Sequence, residues 1–358
     1  MENFRKQFPA IRNRIYLNTA AAGLLPESIV EWRQEHDLDL MLRGSVFREE
    51  QANVIEDVRH VLANFFNAKK ENIALLPNFS YGFNLLLEGV DQATKFLLIE
   101  SDYPSINWPV EQRGFSVDYA RLDAQLEQNI MEAFERDVPD IFAFSLVQYT
   151  NGIAIDLQFL SVLKTTYPNT IFIADGTQFC GTCPVDFENA PIDILISSGY
   201  KWLLGGYGNG FLMSKETVQQ RFTLRSIGFN STNISFDKKK ASFASRLEPG
   251  HQDSLVIGSL GEGVKFLNKV GLTTIQSYLN KLSHHCKDTL ASRGLISDEI
   301  ASRGVHSSIF NIKGDAALFQ RLLANDVVCS RRGSGIRISL HFYNEMDDLE
   351  RLFSILPS

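Results

Sequence analysis

Cysteine is scarce in this sequence, with four in 358 residues. That is too few for a disulfide scaffold, which argues against the small secreted classes and predicts a reducing, cytoplasmic setting. Basic charge is not in excess either: 35 Lys and Arg face 42 Asp and Glu, a net charge of −7. Nucleic acid and anionic membranes are therefore poor candidates for the main partner. The basic run Lys238 to Lys240 sits in a polar stretch and reads as a solvated loop. No run approaches the roughly 20 apolar residues of a membrane span, and "MENFRKQFPA" lacks the apolar centre of a signal peptide. Internal repeats and low-complexity tracts are absent as well. With 44% hydrophobic residues, the chain can bury a substantial core as one large domain or two modest ones.

Two of the four cysteines form "CGTC", Cys180 to Cys183. This is the spacing of a redox dithiol or of half a zinc site. No second such pair exists, no histidine lies close in sequence, and Pro184 opens no amphipathic helix that would lower a thiol pKa. The pair is read as coincidence, and no metal ligand set is assigned.

Short apolar runs alternate with helical patterns: "NIALL" (72–76), "KFLLI" (95–99), "DIFAFSLV" (140–147), "TIFIA" (170–174), "DILIS" (193–197) and "GFLMS" (210–214). Between them lie amphipathic stretches such as 48–66, where Ile55, Val58, Leu62 and Phe65 recur at helical spacing. Continuous apolar strands separated by helices predict an α/β fold with a mostly parallel sheet covered on both faces. After about residue 255 strands become fewer and helices longer. The expected division is a large domain over 15–255 and a smaller α+β domain over 256–358 joined by 1–14.

In open α/β sheets, ligands bind beyond the carboxyl ends of the strands. The residues just past each predicted strand are therefore informative. "NIALL" leads to "PNFSYGFN", where Asn78 or Ser80 could cap a helix beginning near Tyr81 and suited to a phosphate. "KFLLI" leads to Tyr103, "DIFAFSLV" to Gln148, Tyr149 and Asn151, and "TIFIA" to Asp175 and Gln178. "DILIS" leads to Ser198, Tyr200 and Lys201, with glycines beyond them at 205, 206, 208 and 210. Singly, each is an ordinary cap, turn or rim residue. Together an acid, a lysine, hydroxyls and aromatic faces converge on one edge. A lysine in an apolar crevice loses its proton readily, because desolvation disfavours the ammonium. The neutral amine can condense with a carbonyl. Pyridoxal phosphate needs this set: a lysine for its aldehyde, an acid for its ring nitrogen, an aromatic face for its ring and donors for its phosphate.

The motifs "YLNTAAAGLLP" (16–26), "PNFSYGFN", "DGTQ", "SSGYKWLLGGYG", "RLEPG" (246–250) and "RISLHFYN" (337–344) resemble, in this order, the class V aminotransferase superfamily of fold-type I pyridoxal phosphate enzymes. That superfamily includes cysteine desulfurases, kynureninases and isopenicillin N epimerase-like proteins. The resemblance covers nearly the whole chain, and 26 residues separate Asp175 from Lys201. It implies that Lys201 holds the cofactor aldehyde and Asp175 its pyridinium nitrogen. Gln178 would hydrogen-bond the ring hydroxyl, while Ser198, Tyr200, Phe79 and Ser80 would bind phosphate. Tyr103 would stack on the ring. Arg337 would grip the substrate carboxylate, with Asn18 and Ala21 nearby. A tyrosine just before the lysine looks more like kynureninases than like desulfurases, which usually have histidine there.

Three departures from the family pattern bear on the reaction. Desulfurases carry a nucleophilic cysteine on a mobile loop before the carboxylate arginine; here the interval is "CSRRGSGIR", and Cys329, at the end of the apolar "DVV" run, is expected within a strand. His251 stands in "EPGHQD" where the family has a threonine that reaches the partner subunit's phosphate. Tyr149 or a neighbour replaces the asparagine that desulfurases hold above the cofactor. The expected protein is a homodimeric cytoplasmic enzyme acting on an amino acid, with transamination favoured because the dedicated cysteine is missing. A lyase or an epimerase is the alternative. A non-catalytic binding module of the same fold would be expected to have lost the lysine or the acid, and both are present.

Overall fold

The computed structural model describes residues 1–232, 237 and 241–357; the basic run 238–240 lies outside the described residues. Among the described residues twelve strands are formed: β1 (Ile15–Tyr16), β2 (Ile73–Leu76), β3 (Lys95–Ile99), β4 (Ser116–Ala120), β5 (Ile141–Ser145), β6 (Ile171–Asp175), β7 (Ile194–Ser198), β8 (Gly210–Ser214), β9 (Ile309–Ile312), β10 (Val327–Val328), β11 (Ser330–Arg332) and β12 (Gly335–Ser339). Seven of them make the central sheet, in the order β2-β8-β7-β6-β5-β3-β4. β3 to β7 run parallel, whereas β8 is antiparallel to both its neighbours, β2 and β7. The expected mostly parallel sheet is present, with "GFLMS" reversed within it.

β5, β6, β7 and β8 are buried at every position. Their side chains alternate between two cores: Phe142, Phe144, Phe172 and Leu195 on one face, Ala143, Ile173, Ile194 and Ile196 on the other. This is the two-sided burial that continuous apolar runs require. β4 is missing from the strands predicted by sequence. As an edge strand it needs only one apolar face, so "SVDYA" carries no apolar run.

Strand order reverses at β3, since β4 lies on one side of it and β5 on the other. Only Phe96 and Leu97 of β3 pair with β5, at Ile141 and Phe142, so the two strands part toward their carboxyl ends. A crevice at such a reversal is where an α/β sheet binds its ligand.

The carboxyl-terminal part adds a three-stranded sheet, β11-β12-β9, and a parallel pair, β1 with β10. The helix Ser254–Val270, capped by the Asp253 side chain, packs against the helices Glu27–Arg43, Ser45–Phe66 and Leu272–Ser292. Its Gly263 faces the Leu203 carbonyl so closely that a Cβ would stand 2.2 Å from that oxygen. The backbone just after Lys201 is thereby held against a helix. Among the described residues, no helix is long and apolar enough to cross a membrane.

Candidate active site

The carboxyl edge of the sheet gathers one cavity of about 310 Å³. Pro77, Asn78, Phe79 and Ser80 reach it from the end of β2, Tyr103 from β3, and Ser145, Val147 and Tyr149 from β5. Asp175, Thr177 and Gln178 come from β6, Ser198, Tyr200 and Lys201 from β7, and Tyr207 and Gly208 from the approach to β8. β8 begins at this edge because it runs the opposite way.

The phosphate-like end is a helix start. Asn78 caps the helix Phe79–Leu87, its side chain accepting from the Tyr81 amide at 2.9 Å. The helix begins two residues before the expected Tyr81. The Phe79 amide donates to Ser198 Oγ at 2.9 Å, which ties the helix start to the end of β7. Ser80 Oγ donates to Ser105 Oγ at 2.7 Å. Helix N-terminal amides and hydroxyls at one spot suit an anion.

At the other end sit Asp175 and Lys201, both almost completely buried. Asp175 accepts the Thr177 amide at 2.8 Å, and burial pushes its carboxyl up to about 6 despite that bond and the nearby ammonium. Lys201 is pushed down to about 8, again chiefly by burial; Asp175 opposes the shift, while Arg337 and Arg332 add to it. The Lys201 ammonium lies 5.9 Å from the centre of the Tyr103 ring and 5.4 Å from that of Tyr200. Both groups are thus drawn toward neutrality, as desolvation demands, and their mutual attraction limits the drift.

The other expected residues fall in different places. Gln178 lines the cavity, but its amide already donates to the Ala20 carbonyl (3.0 Å) and accepts from Trp202 Nε1 (2.8 Å), leaving one N–H to offer. Tyr149 meets Tyr103 edge-on at 5.3 Å, and its carbonyl accepts from Arg337 Nη1 at 2.7 Å. Arg337 is buried on β12, with its Nε hydrogen-bonded to nothing and its pKa lowered to about 10, first by burial. Arg337 does not line the cavity, and neither do Asn18 and Ala21. Their segment spans the gap behind it, with the Gly23 amide on the Tyr200 carbonyl (2.8 Å) and the Ser339 amide on the Leu17 carbonyl (2.9 Å). His251 stands apart, stacked on Phe229 (5.3 Å) in a second cavity of about 690 Å³ that includes Arg48, Arg59 and Glu248.

Sequence reasoning passed over three residues. Asp102, fully buried, accepts the Ser145 amide at 2.9 Å and the Tyr103 amide at 2.6 Å, so it stands in for the missing strand partner where β3 and β5 part. The strand-end rule that found Tyr103 covers its neighbour equally. Tyr207 stacks on Tyr200 at 4.7 Å, and Arg332 acts on the charge of Lys201. No local pattern marks either one. Cys329 lies between β10 and β11 rather than within a strand; it is buried, and desolvation raises its thiol to about 12.

This donor set fits pyridoxal phosphate. It offers an amine for the aldehyde, a buried acid for the ring nitrogen, a tyrosine face, and an anion site at a helix start. Comparison with known proteins points the same way. The family model "Aminotransferase class-V" matches residues 15–352. The chain is 21% identical over 357 residues to "Uncharacterized aminotransferase YcbU" of Bacillus subtilis (strain 168), covering 97% of this chain and 95% of that one. It is 22% identical over 390 residues to a "Probable cysteine desulfurase" of Pyrococcus abyssi (strain GE5 / Orsay), covering 99% and 96%. Its fold superposes with a TM-score of 0.87, at 19% identity and 97% and 98% coverage, on the cystine C-S lyase C-DES in complex with its product cysteine persulfide. The match over nearly the whole length, joined to a buried lysine and acid at the carboxyl edge of the sheet, places the chain in the class V aminotransferase family of pyridoxal phosphate-dependent enzymes.

Proposed function

We propose that the enzyme removes the α-proton of an amino acid and transaminates it. The observation that carries this reading is the burial of Lys201 and Asp175 in one cavity whose lining, among the described residues, contains no cysteine. Bound there, pyridoxal phosphate supplies an aldehyde that captures the substrate amine and a ring that draws electrons from Cα. Asp175, which accepts the Thr177 amide, would hold a proton on the ring nitrogen. Ser198, Ser80 and the start of the helix Phe79–Leu87 would hold the phosphate, and Tyr103 would offer its face to the ring. Arg337 takes the substrate α-carboxylate through its open Nε face, since a planar guanidinium matches a carboxylate in two bonds. Lys201 would hold the cofactor aldehyde, and its pKa, drawn down by burial to about 8, suits its amine to accept the Cα proton.

A lyase is the second reading, favoured by the relatives named cysteine desulfurase and by Tyr200 before the lysine. A desulfurase mechanism with a protein thiol has little support, because burial raises all four cysteines well above a reactive range. The discriminating experiment incubates the holoenzyme with a panel of amino acids. Keto acid together with the aminated cofactor supports transamination. Alanine or sulfide supports the lyase, and solvent deuterium at Cα with no other product an epimerase. Borohydride should fix the cofactor on Lys201, and labelling elsewhere would overturn the site.

A homodimer in the cytoplasm completes the proposal. Leu38, Met41, Leu42 and Val46 leave an apolar ridge 50–72% exposed where two long helices meet, the kind of surface a second copy covers. His251, outside its own chain's cavity, would then be offered to the neighbouring subunit's phosphate. Light scattering that gives a monomer mass would refute the pairing.

A further inference from the structure

We infer that the substrate carries a second carboxylate on its side chain, and that Arg332 is the residue that reads it. The inference rests on the reading that Arg337 takes the α-carboxylate. In the β11–β12 hairpin, Ser330 pairs with Arg337 and Arg332 with Gly335. Alternation along a strand puts 330 and 332 on one face and 335 and 337 on that same face of the partner. Arg332 and Arg337 are therefore diagonal neighbours projecting from one side of the hairpin.

That side is fastened to the cavity wall. Arg337 Nη1 donates to the Tyr149 carbonyl, and Asn311 Nδ2 bridges the Thr150 carbonyl (3.2 Å) and the Arg332 carbonyl (2.9 Å). Burial and the like charge of Arg332 lower the pKa of Arg337, while Tyr149 and Tyr200 oppose the shift. Arg332 and Arg337 both act on Lys201. Among the described residues the only side-chain bond Arg332 donates goes to the neighbouring Arg331 carbonyl. Asp175 answers the charge of Lys201, and an α-carboxylate answers Arg337. One exposed guanidinium is left beside Arg337 on the same face of the hairpin. A fork of N–H donors at that place suits a carboxylate better than an amide or an alkyl group.

The test uses two probes. In the first, the holoenzyme's visible spectrum is titrated with L-aspartate and L-glutamate, and with L-asparagine, L-glutamine and L-alanine. At least one acid should bind about tenfold tighter than its amide, the worth of one charge-assisted hydrogen bond. Arg332→Gln should bring acid and amide to parity, and Arg332→Lys should keep part of the preference. In the second, calorimetry compares succinate and glutarate with butyrate on full-length protein with and without cofactor. A dicarboxylate preference lost in Arg332→Gln supports the assignment without any chemistry at Lys201. Wild-type protein that binds acid and amide alike, or an Arg332→Gln variant that weakens every ligand equally, overturns it. Failure of borohydride to mark Lys201 would instead strike the reading on which it rests.

Discussion

Lys201→Met isolates what the active-site lysine costs the fold. Burial lowers its pKa from 10.5 to about 8, so holding the ammonium there at neutral pH costs about 3 kcal/mol at ~1.4 kcal/mol per pKa unit. Methionine has nearly the same length and no charge. The attraction of Asp175 is already contained in that lowered value; losing the cation–π contacts with Tyr103 and Tyr200 takes back on the order of 1 kcal/mol each. The cofactor-free variant should therefore be about 1 kcal/mol more stable than cofactor-free wild type at pH 7. Between pH 8 and 10.5 the native wild type binds fewer protons than its unfolded chain, so its stability rises with pH across that window. The variant lacks this rise, and its advantage should shrink toward zero. Urea midpoints of the two apoproteins at pH 7 and near pH 10 measure both effects. A variant less stable at pH 7, or a difference that does not move with pH, would refute the claim that Lys201 is held there against its own desolvation. The variant must also fail to hold cofactor after dialysis.

Other consequences stem from the same geometry. Asp175→Asn removes the charge that answers a protonated ring nitrogen while keeping an acceptor for the Thr177 amide; turnover should fall about a hundredfold or more, with cofactor still retained on Lys201. Cys329→Ala deletes a buried thiol that lines no part of the cavity; midpoint stability should drop by about 1 kcal/mol or less with unchanged turnover, and a loss of activity beyond tenfold would restore the thiol mechanism. Gly23→Ala places a Cβ 2.0 Å from the Lys201 carbonyl. The lysine turn must shift, so kcat should fall by about a hundredfold while circular dichroism stays native.

Much of the fold was legible because two-sided burial imposes continuous apolar runs. Six of the seven central strands announced themselves in that way. β4 did not, since it is the edge strand that stays partly exposed; β2, at the opposite edge, is buried throughout and does carry an apolar run. The members of the site came from a single rule, that ligands gather past the carboxyl ends of strands, and Lys201, Asp175, Tyr103 and Ser198 each stand one to four residues beyond or at such an end.

Sequence alone also determined the chemical repertoire: one lysine among aromatics, one acid 26 residues before it, and too few cysteines for a disulfide scaffold. Tertiary structure decided what those groups experience. Strand order, invisible in a linear pattern, sets where β3 and β5 diverge and hence where Asp102 must substitute for a ladder partner. Hairpin register, which depends on pairing between segments, puts Arg332 beside Arg337. Burial then turns an ordinary ammonium and an ordinary carboxylate into groups poised near neutrality, because desolvation depends on everything packed around a charge and not on its neighbours in the chain.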